Sequence, residues 1–160
     1  MKYSCESETR KHIAQVGNYL LDVINRLTFR IKKHDESKLG EKEKPIFDKY
    51  TPKLAKCTYG SVQYSKFLKG MSVALEHHYD NNSHHPEHYK KTDKYILNAA
   101  SMVGCMNLID IIEMLCDWKA ATLRHNDGDI FKSIELNQKR FMYGNEIKEI
   151  LINTAKYLDF

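Results

Sequence analysis

The 160-residue chain has eight histidines, and five of them fall within residues 77–88. His78 continues an apolar helical stripe, so we expect its ring to face the interior, whereas His77 points about 100° away and is the weaker candidate. Three more follow in a polar segment: His84, His85 and His88. Because neutral imidazoles bind divalent transition metals, the concentration predicts a metal site, with a loop of solvated histidines as the alternative.

Three carboxylates recur along the most apolar stretch of the chain, at Asp110, Glu113 and Asp117. Their spacing puts them on one helical face, and Arg124 lies seven residues further along it. Grouped carboxylates in apolar surroundings repel one another and are costly to desolvate, so they require cations. Two interpretations stay open: a metal site, or a structural salt-bridge network that uses Arg124.

A third group is the dipeptide His34-Asp35, followed by Lys38. It places two metal-ligand types on one short segment, with a cation three residues later that can reach an oxyanion near the metal. Alone it is weak evidence, since this dipeptide is common by chance. The lysine-rich run 38–44 that follows is balanced by glutamate, which favours a solvated face.

Helices must position these groups. Apolar residues at intervals of three and four predict an amphipathic helix that stops near His34-Asp35: Ile13, Val16, Leu20, Val23, Leu27 and Ile31. A short helix over 45–56 opens at Pro45, and a longer one over 61–79 follows, with Ser61 as its cap. Residues 80–88 lack periodicity and read as a loop.

The stretch 95–125 is apolar on almost every side, which predicts a central, buried helix. Residues 126–129 read as a turn, and two further helices are expected over 130–142 and 145–158. No window shows strand alternation. The sequence therefore predicts an all-α fold, a helical bundle forming a single domain over 1–160.

Composition narrows the function. A net charge of +4 without an obvious basic run makes nucleic acid an unlikely partner, and ordinary apolar content argues against disorder. No apolar stretch is long enough to span a membrane, and no signal peptide is evident. The four cysteines form no CxxC pair, which favours reduced thiols and a cytoplasmic location. A homo-oligomer is possible.

The order of these groups resembles that of the HD-domain superfamily of metal-dependent phosphohydrolases. That family is all-α and carries a His-Asp pair, further histidines in its binuclear branches, and a late Asp in an apolar helix. The resemblance implies that His34, Asp35 and Asp117 bind one divalent ion, joined by His78 or by His84 or His85 from the loop. The other loop histidines would hold a second ion.

The chain is also similar to an uncharacterised family of small bacterial and phage proteins. The shared segments are HDESK at 34–38, HHPEHY at 84–89, EMLCDW at 113–118 and RHNDGDI at 124–130. This second resemblance spans most of the chain and brings no established activity.

The superfamily resemblance implies hydrolysis of a phosphate ester, most plausibly in a nucleotide, by a metal-activated water. Lys38 would offset phosphoryl charge, Arg124 or His88 would hold the phosphate, and Glu113 or Asp110 would orient a ligand or accept a proton. A histidine-rich set favours Mn, Fe, Co, Ni or Zn over Mg.

Two alternatives remain: an HD-fold di-iron oxygenase and a non-catalytic protein with a structural metal. HD proteins usually have an earlier His ligand, and the only earlier one here is His12. On one continuous helix it would lie about 33 Å from His34, so the two could not bind the same ion.

Overall fold

The computed structural model describes residues 5–58, 61–91, 101–124 and 128–160. Within those ranges it contains seven α-helices and no strand, which confirms the all-α prediction. The chain divides into two compact units at the His34/Asp35 boundary, and each is described separately. None of the described helices combines the length and apolar character needed to cross a bilayer.

The first unit is one long helix, α1, spanning Cys5–Lys33. It ends where the apolar repeat ends, as the sequence predicts. Glu6 and Glu8 occupy its first turn and Arg30, Lys32 and Lys33 its last, so charge at both ends complements the helix dipole.

The second unit begins with a 3-10 turn over Glu36–Leu39 and six helices follow. Their bounds are α2 Lys44–Leu54, α3 Val62–Gly70, α4 Ser72–Asn81, α5 Leu108–Thr122, α6 Ile130–Phe141 and α7 Asn145–Tyr157. Two further 3-10 segments cover Pro86–Lys91 and Met102–Cys105. The predicted short helix and the last two helices are confirmed to within a few residues.

The expected continuous helix over 61–79 is wrong, because it is two helices that meet at Met71. Ser61 caps the first as predicted, its hydroxyl accepting from the Tyr64 N–H at 3.1 Å. A Cβ on Gly70 would lie 2.5 Å from the Tyr50 hydroxyl oxygen, so a larger residue there would have to displace the Tyr50 ring. The break re-aims the chain so that α4 can carry His78 inward.

The expected helix over 95–125 starts later than predicted, and residues 92–100 and 125 lie outside the described ranges. Asn107 caps α5 by accepting from the N–H groups of Ile109 and Asp110, and the Asp110 side chain returns a bond to the Asn107 N–H. This capping box fixes the start of α5. The helix is not buried all round, since Leu108 and Ile112 are exposed.

The main core of the second unit lies between α5, α6 and α7. Its largest buried members come from these helices and the segments beside them: Val103, Met114, Leu115, Ile130, Ile134, Phe141, Tyr143 and Leu151. Trp118 stacks on Phe141 with ring centroids 6.4 Å apart. Asp129, the last residue of the turn predicted over 126–129, caps α6. Residues 126–127 of that turn lie outside the described ranges. One face of α5 packs into this core, and the acidic residues of α5 lie on a different face of the helix.

Candidate metal centre

Asp35 stands at the start of the second unit in a left-handed backbone conformation, with φ 57° and ψ 13°. Few residues other than glycine adopt this conformation, and Asp and Asn tolerate it best. Strain of this kind costs about 1–3 kcal/mol and clusters at functional sites. Here it brings the carboxylate against α4, where Oδ1 lies 3.2 Å from His78 Nε2.

His78 is 1% exposed and is held at both ring nitrogens. Its Nδ1 lies 3.0 Å from Glu43 Oε2. A carboxylate only accepts hydrogen bonds, so Nδ1 is the donor in this contact. On the other side of the ring, Nε2 faces Oδ1 of Asp35.

Glu43 is the site residue that the sequence analysis missed. Its placement in a lysine-rich run suggests a solvated side chain, yet it is fully buried at the start of α2. Its Oε1 accepts from His77 Nδ1 at 2.7 Å while Oε2 accepts from His78. Burial of a carboxylate is expensive unless it is paired, and two histidine donors supply the pairing. Nothing in the composition of the run signals this role.

Ser37 and Asn82 complete the surroundings of His78. The Ser37 hydroxyl lies 3.2 Å from His78 Nδ1, and the Asn82 amide donates to that hydroxyl and to the His78 carbonyl, each at 2.8 Å. The ring is therefore fixed by the 3-10 turn after Asp35 and by the end of its own helix.

His84 is held like His78, with a carboxylate at Nδ1 and Asp35 Oδ1 near Nε2. It is 1% exposed, and its Nδ1 lies 3.2 Å from Glu113 Oε1 on α5. Its Nε2 lies 3.7 Å from Asp35 Oδ1. Glu113 thus contacts a candidate ligand in the way expected of a residue that orients it.

His85 closes the group, because its Nε2 lies 2.9 Å from His78 Nε2 and its ring centroid 4.2 Å from that of His84. Burial, together with the neighbouring charges of His84 and His78, lowers the pKa of His85 to about 3. The ring is therefore neutral at physiological pH and can bind a cation. His84 and His85, between which the sequence does not choose, both lie in this group of side chains.

Asp35 is ionised at that pH as well. Burial raises the pKa of its carboxyl, but the hydrogen bond from His78 and the adjacent Lys38 charge outweigh burial and hold the pKa well below the usual range. The Lys38 ammonium pairs with Oδ2 of Asp35, which leaves Oδ1 facing the histidines.

The acidic residues of α5 make different contacts with this cluster and with the segments around it. Asp117 has a carboxylate oxygen within 4.8 Å of one from Asp35 and raises the pKa of His85 against the larger effect of burial. Asp110 lies at the other end, fully buried, and accepts from the Ser83 and Tyr89 hydroxyls at 2.7 Å each. Asp110 therefore anchors the segment that carries His84 and His85, an anchoring role that its prediction as a catalytic residue did not include.

The remaining predicted residues lie elsewhere. His88 donates from Nδ1 to the Tyr79 carbonyl at 2.7 Å, which ties the histidine segment to α4. Arg124 is exposed just beyond the end of α5. His34 is the last residue of the first unit and remains a predicted ligand. His12 lies on the same unbroken helix, α1, so the distance argument against its sharing an ion with His34 holds.

The cluster of Asp35, His78, His84 and His85 offers one ligand atom from each residue, all within 4.8 Å of one another. Ligands on a tetrahedron with bonds of about 2.0–2.1 Å lie about 3.3 Å apart. The contacts of 2.9, 3.2 and 3.7 Å described above bracket that value. The donor set therefore fits a divalent transition metal.

The depressed pKa of His85 predicts that the metal-free protein loses stability in acid. In the unfolded chain this ring binds a proton near pH 6.5, whereas the folded ring resists it until about pH 3. The free energy of unfolding should fall as pH drops through that window, with His85 contributing up to about 1.4 kcal/mol per pH unit.

Urea unfolding at several pH values, with a chelator present, measures that slope. His85→Asn should flatten it, while His12→Asn on the exposed surface of α1 should not. An equal slope in His85→Asn and the parent protein would refute the assignment.

Comparison with known proteins gives one match. The sequence model of a family of unknown function, DUF5662, matches residues 1–158. No curated protein and no solved structure matches the chain significantly. With nearly the whole chain covered, the protein belongs to the DUF5662 family of unknown function.

Proposed function

We propose that this chain is a metal-dependent phosphohydrolase whose divalent ion is held by Asp35, His78, His84 and His85. One observation carries the proposal. Two buried imidazoles are each fixed at Nδ1 by a buried carboxylate, and each presents Nε2 to the same oxygen of Asp35. Carboxylate–histidine pairs of this kind orient ligands in metalloproteins and raise their basicity.

The chemistry of the donors selects the metal. Mg²⁺ prefers oxygen ligands and keeps several waters, whereas three imidazoles and one carboxylate suit Mn²⁺, Fe²⁺, Co²⁺, Ni²⁺ or Zn²⁺. Asp117 is close enough to Asp35 to join the set or to share a second ion. The HD-domain resemblance supports the same choice of Asp35 and Asp117.

The cluster is open on one side. His78 and His84 are 1% exposed, but the side chains of Asp35 and Lys38 are 19% and 28% exposed. A ligand from solvent therefore meets the Asp35 side first, where a lysine cation is already in place. Lys38 also lies over the Phe47 ring, 5.4 Å from its centroid, which restricts where the ammonium can go.

A phosphate ester is a suitable substrate for a site that a ligand enters beside a lysine. A bound divalent ion would supply Lewis acidity and a water of lowered pKa. Lys38 would contact the phosphoryl oxygens and offset the charge that develops on them. Glu43 and Glu113 would keep their histidines oriented, and Arg124 and His88 remain predicted contacts for the phosphate. A nucleotide substrate is an inference from the resemblance alone.

A second candidate, a structural metal, is favoured by one observation. The cluster contains four potential protein ligands, and three of them come from residues 78–85. Four ligands complete a tetrahedral site, and structural zinc sites are closed in this way. The two candidates share the metal and differ in whether the loaded protein turns over substrate.

The metal itself is tested by substitution at Asp35. Asp35→Asn keeps the shape and tolerates the left-handed backbone but removes the charge, so bound metal should fall to less than half of the parent content. Elemental analysis of untagged protein reconstituted with Mn, Fe, Co, Ni or Zn measures this. Asp48→Asn, an exposed residue paired with Lys44, makes the same charge change and should leave the content intact. Full metal in Asp35→Asn would contradict the site.

Glu43 is expected to act through His78. Glu43→Gln removes the negative charge and leaves one acceptor oxygen for two histidine donors, so metal affinity should fall by about 10–100-fold while the stoichiometry at saturation is kept. Competition titration against a chromophoric chelator gives the affinity, and circular dichroism checks the helical content. Glu41→Gln, on an exposed side chain of the same run, is the matched control. Equal affinities for the two variants would exclude the role.

A substitution at Lys38 distinguishes a catalytic metal site from a structural one. Lys38→Gln should keep stoichiometric metal but lower kcat/KM for phosphate-ester hydrolysis by about 10–1000-fold, because the developing charge loses its cation. Assays with p-nitrophenyl phosphate, its diester and a nucleotide panel provide the readout. Lys44→Gln, an exposed lysine, should hydrolyse like the parent. If the fully loaded parent hydrolyses none of these compounds, the phosphohydrolase proposal fails and the structural site stands.

A further inference from the structure

Helix α1 carries a long apolar face, yet none of its described residues is buried. Its large apolar side chains remain 40–79% exposed: Ile13 63%, Val16 40%, Leu20 58%, Val23 40%, Ile24 55% and Ile31 79%. Soluble proteins seldom leave a contiguous apolar strip of this length in water, and such strips mark interfaces.

The spacing of the face indicates what covers it. Positions 13, 16, 20, 23 and 27 alternate steps of three and four, which is the repeat that packs one helix along another. Ile24 and Ile31 widen the strip to about 100°, the width of a helix that packs on a broad apolar surface. The opposite side carries an Asp22–Arg26 ion pair at 3.0 Å and one isolated apolar side chain, Phe29. The fitting partner is a second amphipathic helix.

We propose that α1 pairs antiparallel with α1 of a second copy of this chain. A two-fold axis makes one apolar strip its own partner, which is the arrangement of most homodimers. Charge selects the direction. The C-terminal turns of α1 carry Arg26, Arg30, Lys32 and Lys33, while at the other end Glu6 and Glu8 are balanced by their partners Arg10 and Lys11. A parallel pair would bring the basic ends together, and an antiparallel pair separates them by about 40 Å.

The antiparallel pair has a natural register. Overlap of the full helix, Cys5–Lys33, places its centre at Tyr19. Leu20 then lies beside its own copy, and Ile13 lies between Val23 and Leu27 of the other chain. Apolar contacts thus fill the middle, and the basic end of each helix lies next to the balanced end of the other.

The area is sufficient for a stable dimer. A helix of 29 residues is about 43 Å long. Seven apolar side chains that each lose on the order of 100 Å² would bury roughly 700 Å² per chain. Standard interfaces bury about 800 Å² per partner.

Light scattering coupled to size exclusion tests the proposal on the full chain. The parent protein should elute with twice the 18.8 kDa mass of one chain. Leu20→Glu puts two charges at the centre of the seam and should give a monomer with unchanged helical content. Phe29→Glu is the matched control, because Phe29 is 61% exposed and lies about 180° around the helix from Leu20. It should remain a dimer.

Cross-linking of the parent protein tests the direction without any variant. Lys11 and Lys32 lie about 32 Å apart on one helix but come within reach of a short amine cross-linker across an antiparallel pair. A Lys11–Lys32 link in the dimer band supports the proposal. A monomeric parent protein, a Leu20→Glu dimer, or a dimer linked only through Lys11–Lys11 would overturn it.

Discussion

Buried negative charge is the constraint on which the second unit depends. Glu43 is fully buried and Glu113 is 9% exposed, and each is directed at a histidine that is itself buried. Asp35 and Asp117 add two more carboxylates within a few ångströms of one another. Carboxylates so placed are costly without positive charge nearby, and the lysine at position 38 supplies one unit of it. A divalent cation among the ring nitrogens would balance two more of these charges.

The fold brings three segments together around this group of charges. The strained turn at Asp35 supplies the central carboxylate, the end of α4 and the following segment supply the histidines, and α5 supplies the acidic stripe. The anchor at Asp110 and the capping box of Asn107 fix α5 against the histidine segment. The rings are therefore positioned by secondary structure and hydrogen bonds before any ion arrives, and preorganised ligands lose less entropy when they bind.

The sequence was most informative where periodicity and residue chemistry agreed. Apolar spacing predicted α1, and the phase of His78 on its helix predicted that its ring would be buried. The turn predicted over 126–129 placed the start of α6, and α7 was predicted after it. The three-residue step from Asp110 to Glu113 correctly put both on one face. These features are local, because the helix repeat or a turn sequence determines them.

What the sequence could not reveal depended on tertiary contacts. Glu43 reads as one more charge in a lysine-rich run, and only the approach of α4 buries it. The helix predicted over 61–79 is divided at Met71, and its apolar spacing does not signal the division. The exposed face of α1 has the pattern of a core-facing helix, since an amphipathic stripe has the same appearance whether it packs within a chain or between chains.

The central claim is that three histidines and one aspartate hold a divalent ion. Its most direct test is anomalous diffraction from crystals of the metal-loaded protein, recorded above and below the absorption edge. The account predicts one strong anomalous peak within about 2.0–2.3 Å of His78 Nε2, His84 Nε2, His85 Nε2 and a carboxylate oxygen of Asp35. A well-ordered cluster without a peak, or a peak bound elsewhere, would contradict it.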